Sequence, residues 1–99
     1  MILSKFRKQP DEVKDYDIDY GPWLDPINDT LDTVEFVVEC LDDEDDFSLV
    51  VFNHQITPTT AKLWLQGGTD GLVYKVTVKA FTPAGRIDES ELIFAVDNI

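Results

Sequence analysis

Acidic side chains at every second residue are the first pattern in this sequence that suggests a chemistry. Asp15, Asp17 and Asp19 lie in the stretch DYDIDY, and a calcium loop of the EF-hand type begins with oxygen ligands at positions 1, 3 and 5. That loop also requires Gly at position 6 and Glu at position 12, but this chain has Tyr20 and Pro26 there. The spacing therefore does not support an EF-hand.

A second acidic group, Asp42 to Asp46 (DDEDD), is a continuous run. Like charges this close together cannot pack, so we expect them in a solvated turn. The run contains no glycine to shape a cation loop. A calcium site there is an alternative interpretation.

Nucleophilic catalysis would have to use Cys40 and His54, which are the only cysteine and the only histidine. Nothing in the surrounding sequence supports that pairing, and Cys40 is expected to be a small apolar core residue. There is no Ser-His-Asp context and no zinc-ligand spacing. We therefore expect no catalysis and no cofactor.

Length and charge narrow the possible partners. The chain has 99 residues, which suits one domain, and its formal net charge is -12. Nucleic acid and anionic membranes would repel such a surface, so neither is an expected partner. No apolar run is long enough for a transmembrane helix, and no signal peptide is evident, so we expect synthesis in a cytoplasm.

Period-two patterns indicate the elements that would position these residues. DYDIDY is interpreted as a strand with Tyr16, Ile18 and Tyr20 on an inward face and the aspartates outward. About seven strands with Gly and Pro turns between them predict an all-β fold, a small antiparallel β-sandwich of immunoglobulin-like type. Further strands are predicted at residues 30–41, 47–52, 59–65, 72–81 and 91–96, with a hairpin loop at 67–71 and a turn at 82–86.

Residues 1–14 show no clear periodicity and contain Pro10, so they predict an extended N-terminal arm ahead of a sandwich domain at 15–99. The arm is either a frayed terminus or a segment that orders against a neighbouring subunit. In the strand at 59–65, Ala61, Leu63 and Leu65 share one face, and Lys62 and Trp64 share the other. The residues expected to contact partners are Lys5, Phe6, Arg7, Lys8, Trp23, Trp64 and Arg86.

Three stretches in order carry a family resemblance. They are Lys8 to Leu24 (KQPDEVKDYDIDYGPWL), Leu65 to Thr77 (LQGGTDGLVYKVT) and Thr82 to Glu89 (TPAGRIDE). Together they resemble small virion proteins of tailed bacteriophages, of the fibre–tail adaptor type. Two features depart from that pattern: Tyr20 is present where the family usually has Trp, and the DDEDD run is unusual.

The resemblance implies a multi-copy structural domain that links tail components or tail fibres. Its partners would be other virion proteins and copies of itself, with no small-molecule substrate, in the tail or head–tail region of a virion made in the host bacterial cytoplasm. Lys5, Arg7 and Lys8 are then hypothesised to meet the acidic face of a neighbouring copy. The alternatives are a capsid decoration protein and a carbohydrate-binding sandwich that uses Trp23 and Trp64.

Overall fold

Seven strands account for most of the chain in a computed structural model that describes residues 2–98, with side chains from Ser4 onward. The elements are β1 (Ile2–Lys8), β2 (Lys14–Asp19), the short helix α1 (Gly21–Leu24) with a 3-10 turn (Asp25–Ile27), β3 (Thr33–Cys40), β4 (Val50–Ile56), β5 (Thr60–Gln66), β6 (Val73–Phe81) and β7 (Ile87–Val96). Within residues 2–98, no helix has the length and apolar character needed to cross a bilayer.

The strands form two sheets that pack as a sandwich, which confirms the predicted all-β architecture. One sheet has the order β1-β7-β6-β3 and the other the order β2-β5-β4. Neighbouring strands are antiparallel except β1 and β7, which are parallel. The immunoglobulin-like type of the sandwich stays a prediction.

The first strand differs from the predicted N-terminal arm. Ile2–Lys8 pairs with β7 along its length, from Ile2 opposite Glu91 to Lys8 opposite Val96. Phe6 is partly buried, and Lys8 is 1% exposed. A lysine therefore occupies an inward position, and this hides the period-two pattern from inspection of the sequence.

The core lies between the sheets and follows the predicted alternation. Tyr74, Val76, Val78 and Ala80 of β6 are fully buried and face Ala61, Leu63 and Leu65 of β5. On β2, Ile18 is buried and Tyr16 is partly buried, whereas the aspartates between them are exposed. Cys40 is buried in the same core.

The connection between β5 and β6 does not form the predicted hairpin loop, because these two strands belong to different sheets. The chain crosses the sandwich there, with Gly67 and Gly68 at positive φ (81° and 101°). A Cβ at Gly67 would lie 2.1 Å from the Ser48 carbonyl oxygen, and one at Gly68 would lie 2.7 Å from a methyl of Val96. Glycine is therefore required for close approach as well as for its backbone conformation.

The segment that follows β2 contains two prolines, Pro22 and Pro26. It forms one helical turn and a 3-10 turn because Pro22 and Pro26 occupy first-turn positions, where a missing N–H is tolerated. The turn at residues 82–86 joins β6 to β7, as predicted.

Candidate docking surfaces

The open side of the sandwich is the side where β3 and β4 end their respective sheets. Phe36 and Val38 of β3 face inward opposite Val78 and Val76 of β6. The two β6 valines are fully buried, but Phe36 and Val38 stay partly exposed. These two side chains pack against the core and are only partly covered, as is Phe6 at the opposite sheet edges.

An apolar cleft of about 290 Å³ lies on the open side. Phe47, at its rim, is 77% exposed, the highest value among the exposed large hydrophobic residues of the described chain. The His54 ring packs edge-on against Phe36 with centroids 5.1 Å apart. The lining residues are Phe36, Val38, Phe47, Leu49, Val50 and Val51. Exposed apolar surface of this kind is typical of protein interaction sites.

Strand β4 was predicted at residues 47–52 as a buried strand, and this prediction is wrong in position and in burial. The strand runs from Val50 to Ile56, and only Val51 along it is even partly buried. Its pairing with β5 shifts register between Val51 and Asn53, which leaves Phe52 in a bulge and 45% exposed. The apolar run FSLVVF resembles a core strand, and only the position of β4 at a sheet edge decides that it is exposed.

The acidic run borders this cleft, and its carboxylates accept hydrogen bonds from the protein itself. Asp46 accepts from the Ser48 N–H (2.9 Å), the Ser48 hydroxyl (2.5 Å) and the Thr69 hydroxyl (2.6 Å). These donors, Ser48 first, hold the pKa of Asp46 well below its usual range. Asp42 accepts from the Val73 N–H (2.8 Å). These hydrogen bonds connect the acidic run to Ser48, to Thr69 and to the start of β6.

Metal binding has no prepared site in the described part of the chain. Among those residues, no group of three His, Cys, Asp or Glu side chains is placed to hold a metal ion.

The closed side of the sandwich is the opposite one, where β1 and β2 end their sheets, and three rings fill it. The Phe6 ring lies 4.7 Å from that of Tyr16 and 5.2 Å from that of Phe94, centroid to centroid. The Lys8 ammonium group donates to the carbonyl oxygens of Gln9 (2.9 Å) and Gly67 (2.7 Å). Burial lowers the pKa of Lys8. Lys8 therefore serves the fold and does not offer its charge to a neighbouring copy, which corrects the expectation for this residue.

The other predicted contact residues do not form a single cluster. Lys5 and Arg7 are exposed on β1, and Arg7 pairs with Asp97. Trp23 packs against Tyr20, with centroids 6.1 Å apart, at the end of β2. Trp64 is partly buried on the outer face of β5. Arg86, in the turn before β7, lies 2.7 Å from the Asp29 carboxylate.

Comparison with known proteins assigns this chain to a family. Residues 8–95 match the family described as Podophage GP4 fiber-tail adaptor protein gp77. Comparison with curated proteins finds no match. The matched range extends from the end of β1 almost to the end of β7, so it includes both the closed and the open side. It also contains all three motifs that carried the resemblance in the sequence. The chain belongs to this family of phage fibre–tail adaptor proteins.

Proposed function

We propose that this protein is a multi-copy adaptor in the tail of a phage virion, where it links tail and fibre subunits through protein–protein contacts. The observation that carries the proposal is the open side of the sandwich, where the large apolar residues Phe47, Val50 and Phe52 are exposed in a chain of the adaptor family. A bridging domain needs a stiff core and uncovered edges that neighbours can occupy.

The chemistry of the surface supports a role in contacts rather than catalysis. On the open side, the pKa of Asp46 is shifted furthest. Its hydrogen-bond donors lower this pKa, whereas a general acid needs a raised pKa. The net charge of -12 favours partners that carry basic patches and disfavours nucleic acid. We place the protein in the virion tail after synthesis in the host cytoplasm.

Cryo-electron microscopy of virions from the source phage tests this proposal. We expect density for the sandwich at the tail, in contact with both a tail subunit and a fibre subunit. A phage with this gene deleted should assemble tails that lack fibres. Density on the capsid surface would instead identify a decoration protein, and absence of the chain from the particle would refute a structural role.

A further inference from the structure

The free edge of β3 is a regular strand edge on the open side. Thr33–Cys40 pairs with β6 without any register shift. Within residues 2–98, no strand pairs with its other edge, because β3 ends its sheet. β4 of the other sheet approaches this edge, where the His54 ring contacts Phe36, but the two strands do not pair. An unpaired edge of this length can accept an additional strand from another chain.

The outer face of β3 specifies the charge of such a strand. Glu35, Val37 and Glu39 are exposed on this face. On the side already paired, β6 places Lys79 opposite Glu35, Thr77 opposite Val37 and Lys75 opposite Glu39. Opposite charges directly across a strand pair stabilise it, and like charges destabilise it. A strand at the free edge would therefore match β3 best with outward basic residues four positions apart, opposite Glu35 and Glu39.

The inner face of the same edge specifies apolar side chains. Phe36 and Val38 face the cleft, which is completed from the β4 side by Leu49 and Val51. Because strand side chains alternate between faces, residues between the basic ones would point into this cleft. Its volume of about 290 Å³ leaves room for aliphatic side chains.

A second copy of this chain does not fit these requirements. Each copy has a net charge of -12, so copies repel one another. The strand of the chain that carries the most consecutive basic residues is β1, but its Lys8 is buried and its Arg7 pairs with Asp97. Charge complementarity thus points to a different polypeptide.

We propose that the free edge of β3 binds an extended strand of another virion protein, in which outward Lys or Arg residues alternate with inward aliphatic residues. The inference rests on the proposed function only for the source of that strand, a fibre or tail subunit. The bound strand extends the four-stranded sheet, pairs its basic residues with Glu35 and Glu39, and covers the cleft.

Peptide binding to the full chain tests this edge. The probe is the fluorescently labelled, end-capped peptide KVKVKVK. The control probe is VVKKKKV, which has the same composition and charge but no two Lys residues four positions apart, so it cannot pair with Glu35 and Glu39 together. Fluorescence anisotropy measures affinity, and amide hydrogen exchange identifies protected strands. The protein variants are E35K/E39K and the matched control D15K/D17K, which makes the same charge change on the outer face of β2, the other sheet's edge strand on the closed side.

We expect KVKVKVK to bind wild-type protein and D15K/D17K with similar affinity and to protect β3 amides. E35K/E39K should bind it at least about tenfold more weakly, since two attractive cross-strand pairs become repulsive. If circular dichroism shows that E35K/E39K is unfolded, E35Q/E39Q replaces it. This variant should also weaken KVKVKVK binding, but by less than is expected of E35K/E39K. Equal binding of VVKKKKV, equal loss in D15K/D17K, or protection of β1 instead of β3 would each overturn the proposal.

A virion experiment separates this inference from the proposed function. Phage carrying E35K/E39K should assemble tails with few or no fibres. If those virions contain the protein and its fibres at wild-type levels, the adaptor role stands and the β3 edge is refuted as its contact. If the protein is absent from wild-type virions while KVKVKVK still binds β3, the adaptor role falls and the edge remains a binding site.

Discussion

The closed and open sides of the sandwich each end in two edge strands, but the core between those strands is covered differently on the two sides. On the closed side, β1 adds to β7, and Phe6 covers Phe94 and Tyr16. On the open side, no strand within residues 2–98 adds to β3, and Phe47, Val50 and Phe52 are exposed. The chain itself thus packs the outermost rings of one side, while it leaves several large apolar residues of the other side exposed.

The first way to test this difference is to remove a ring from the closed side. Phe94 is fully buried between β1 and β2 and contacts the rings of Phe6 and Tyr16. Phe94→Ala should destabilise the fold by about 4 kcal/mol, because a cavity forms where three rings meet. Urea unfolding followed by circular dichroism measures this. A loss as small as that of a surface substitution would show that the stack does not hold β1 in place.

The second test concerns the buried lysine of the closed side. Lys8→Ala should cost about 2 kcal/mol, since it removes the packed stem and leaves carbonyl oxygens without their donor. Lys8→Met keeps most of the stem and should cost less. If Lys8→Met is as damaging as Lys8→Ala, the hydrogen bonds matter more than the packing.

Lys8 also predicts a dependence on pH. Burial lowers the folded-state pKa of Lys8 below 10.5. As the pH rises towards 10.5, Lys8 therefore loses its proton in the folded chain before it does so in the unfolded chain, and the unfolded chain binds more protons than the folded one. Stability of the wild-type protein relative to Lys8→Met should therefore rise across that window. Unfolding of both proteins in parallel at several alkaline pH values checks the sign, and a falling difference would contradict the assignment.

A third, smaller effect is expected at Tyr20, at the end of β2. Burial raises the pKa of Tyr20 to about 12, and among the described residues its hydroxyl has no hydrogen-bond partner. Tyr20→Phe should change stability at neutral pH by no more than about 0.5 kcal/mol. Between pH 10 and 12 the wild-type protein should lose stability that Tyr20→Phe retains, because only the unfolded tyrosine ionises there. Parallel unfolding curves with no divergence would refute the raised pKa.

The smallest effect on stability is expected on the open side. Phe47→Ser should alter the free energy of unfolding by no more than about 0.5 kcal/mol, because the ring is 77% exposed. The same substitution should weaken peptide binding at the cleft, measured by anisotropy. A large loss of stability would mean that Phe47 closes the core, and the contrast between the two sides would fail.

Several features of the fold follow from local sequence. Alternation in LVYKVTVKAF places Tyr74, Val76, Val78 and Ala80 in the core, and the same rule places Tyr16 and Ile18 inward on β2. These predictions hold because strand side chains alternate faces whatever the strand pairs with. The family motifs are also recognisable from the sequence alone, because they consist of short stretches in a fixed order.

None of the residues that line the cleft is among the contacts expected from the sequence. Trp64 and the β1 residues were named as contacts, but Phe47, Phe36 and Val38 at the cleft were not. An apolar run such as FSLVVF reads as core because hydrophobicity does not indicate which strand ends a sheet. Lys8 is the opposite case, since a lysine near the N-terminus suggests solvent exposure although this one is buried.

The sequence by itself determined the strands β2, β3, β5 and β6, the facing of their side chains, the acidic charge and the family. Only the tertiary structure decided that residues 2–8 join the sheet, that β5 and β6 belong to different sheets, and that the β3–β4 side is left open. The physical reason is that alternation is a local property of the backbone, whereas edge position and exposure depend on pairings between residues far apart in the chain.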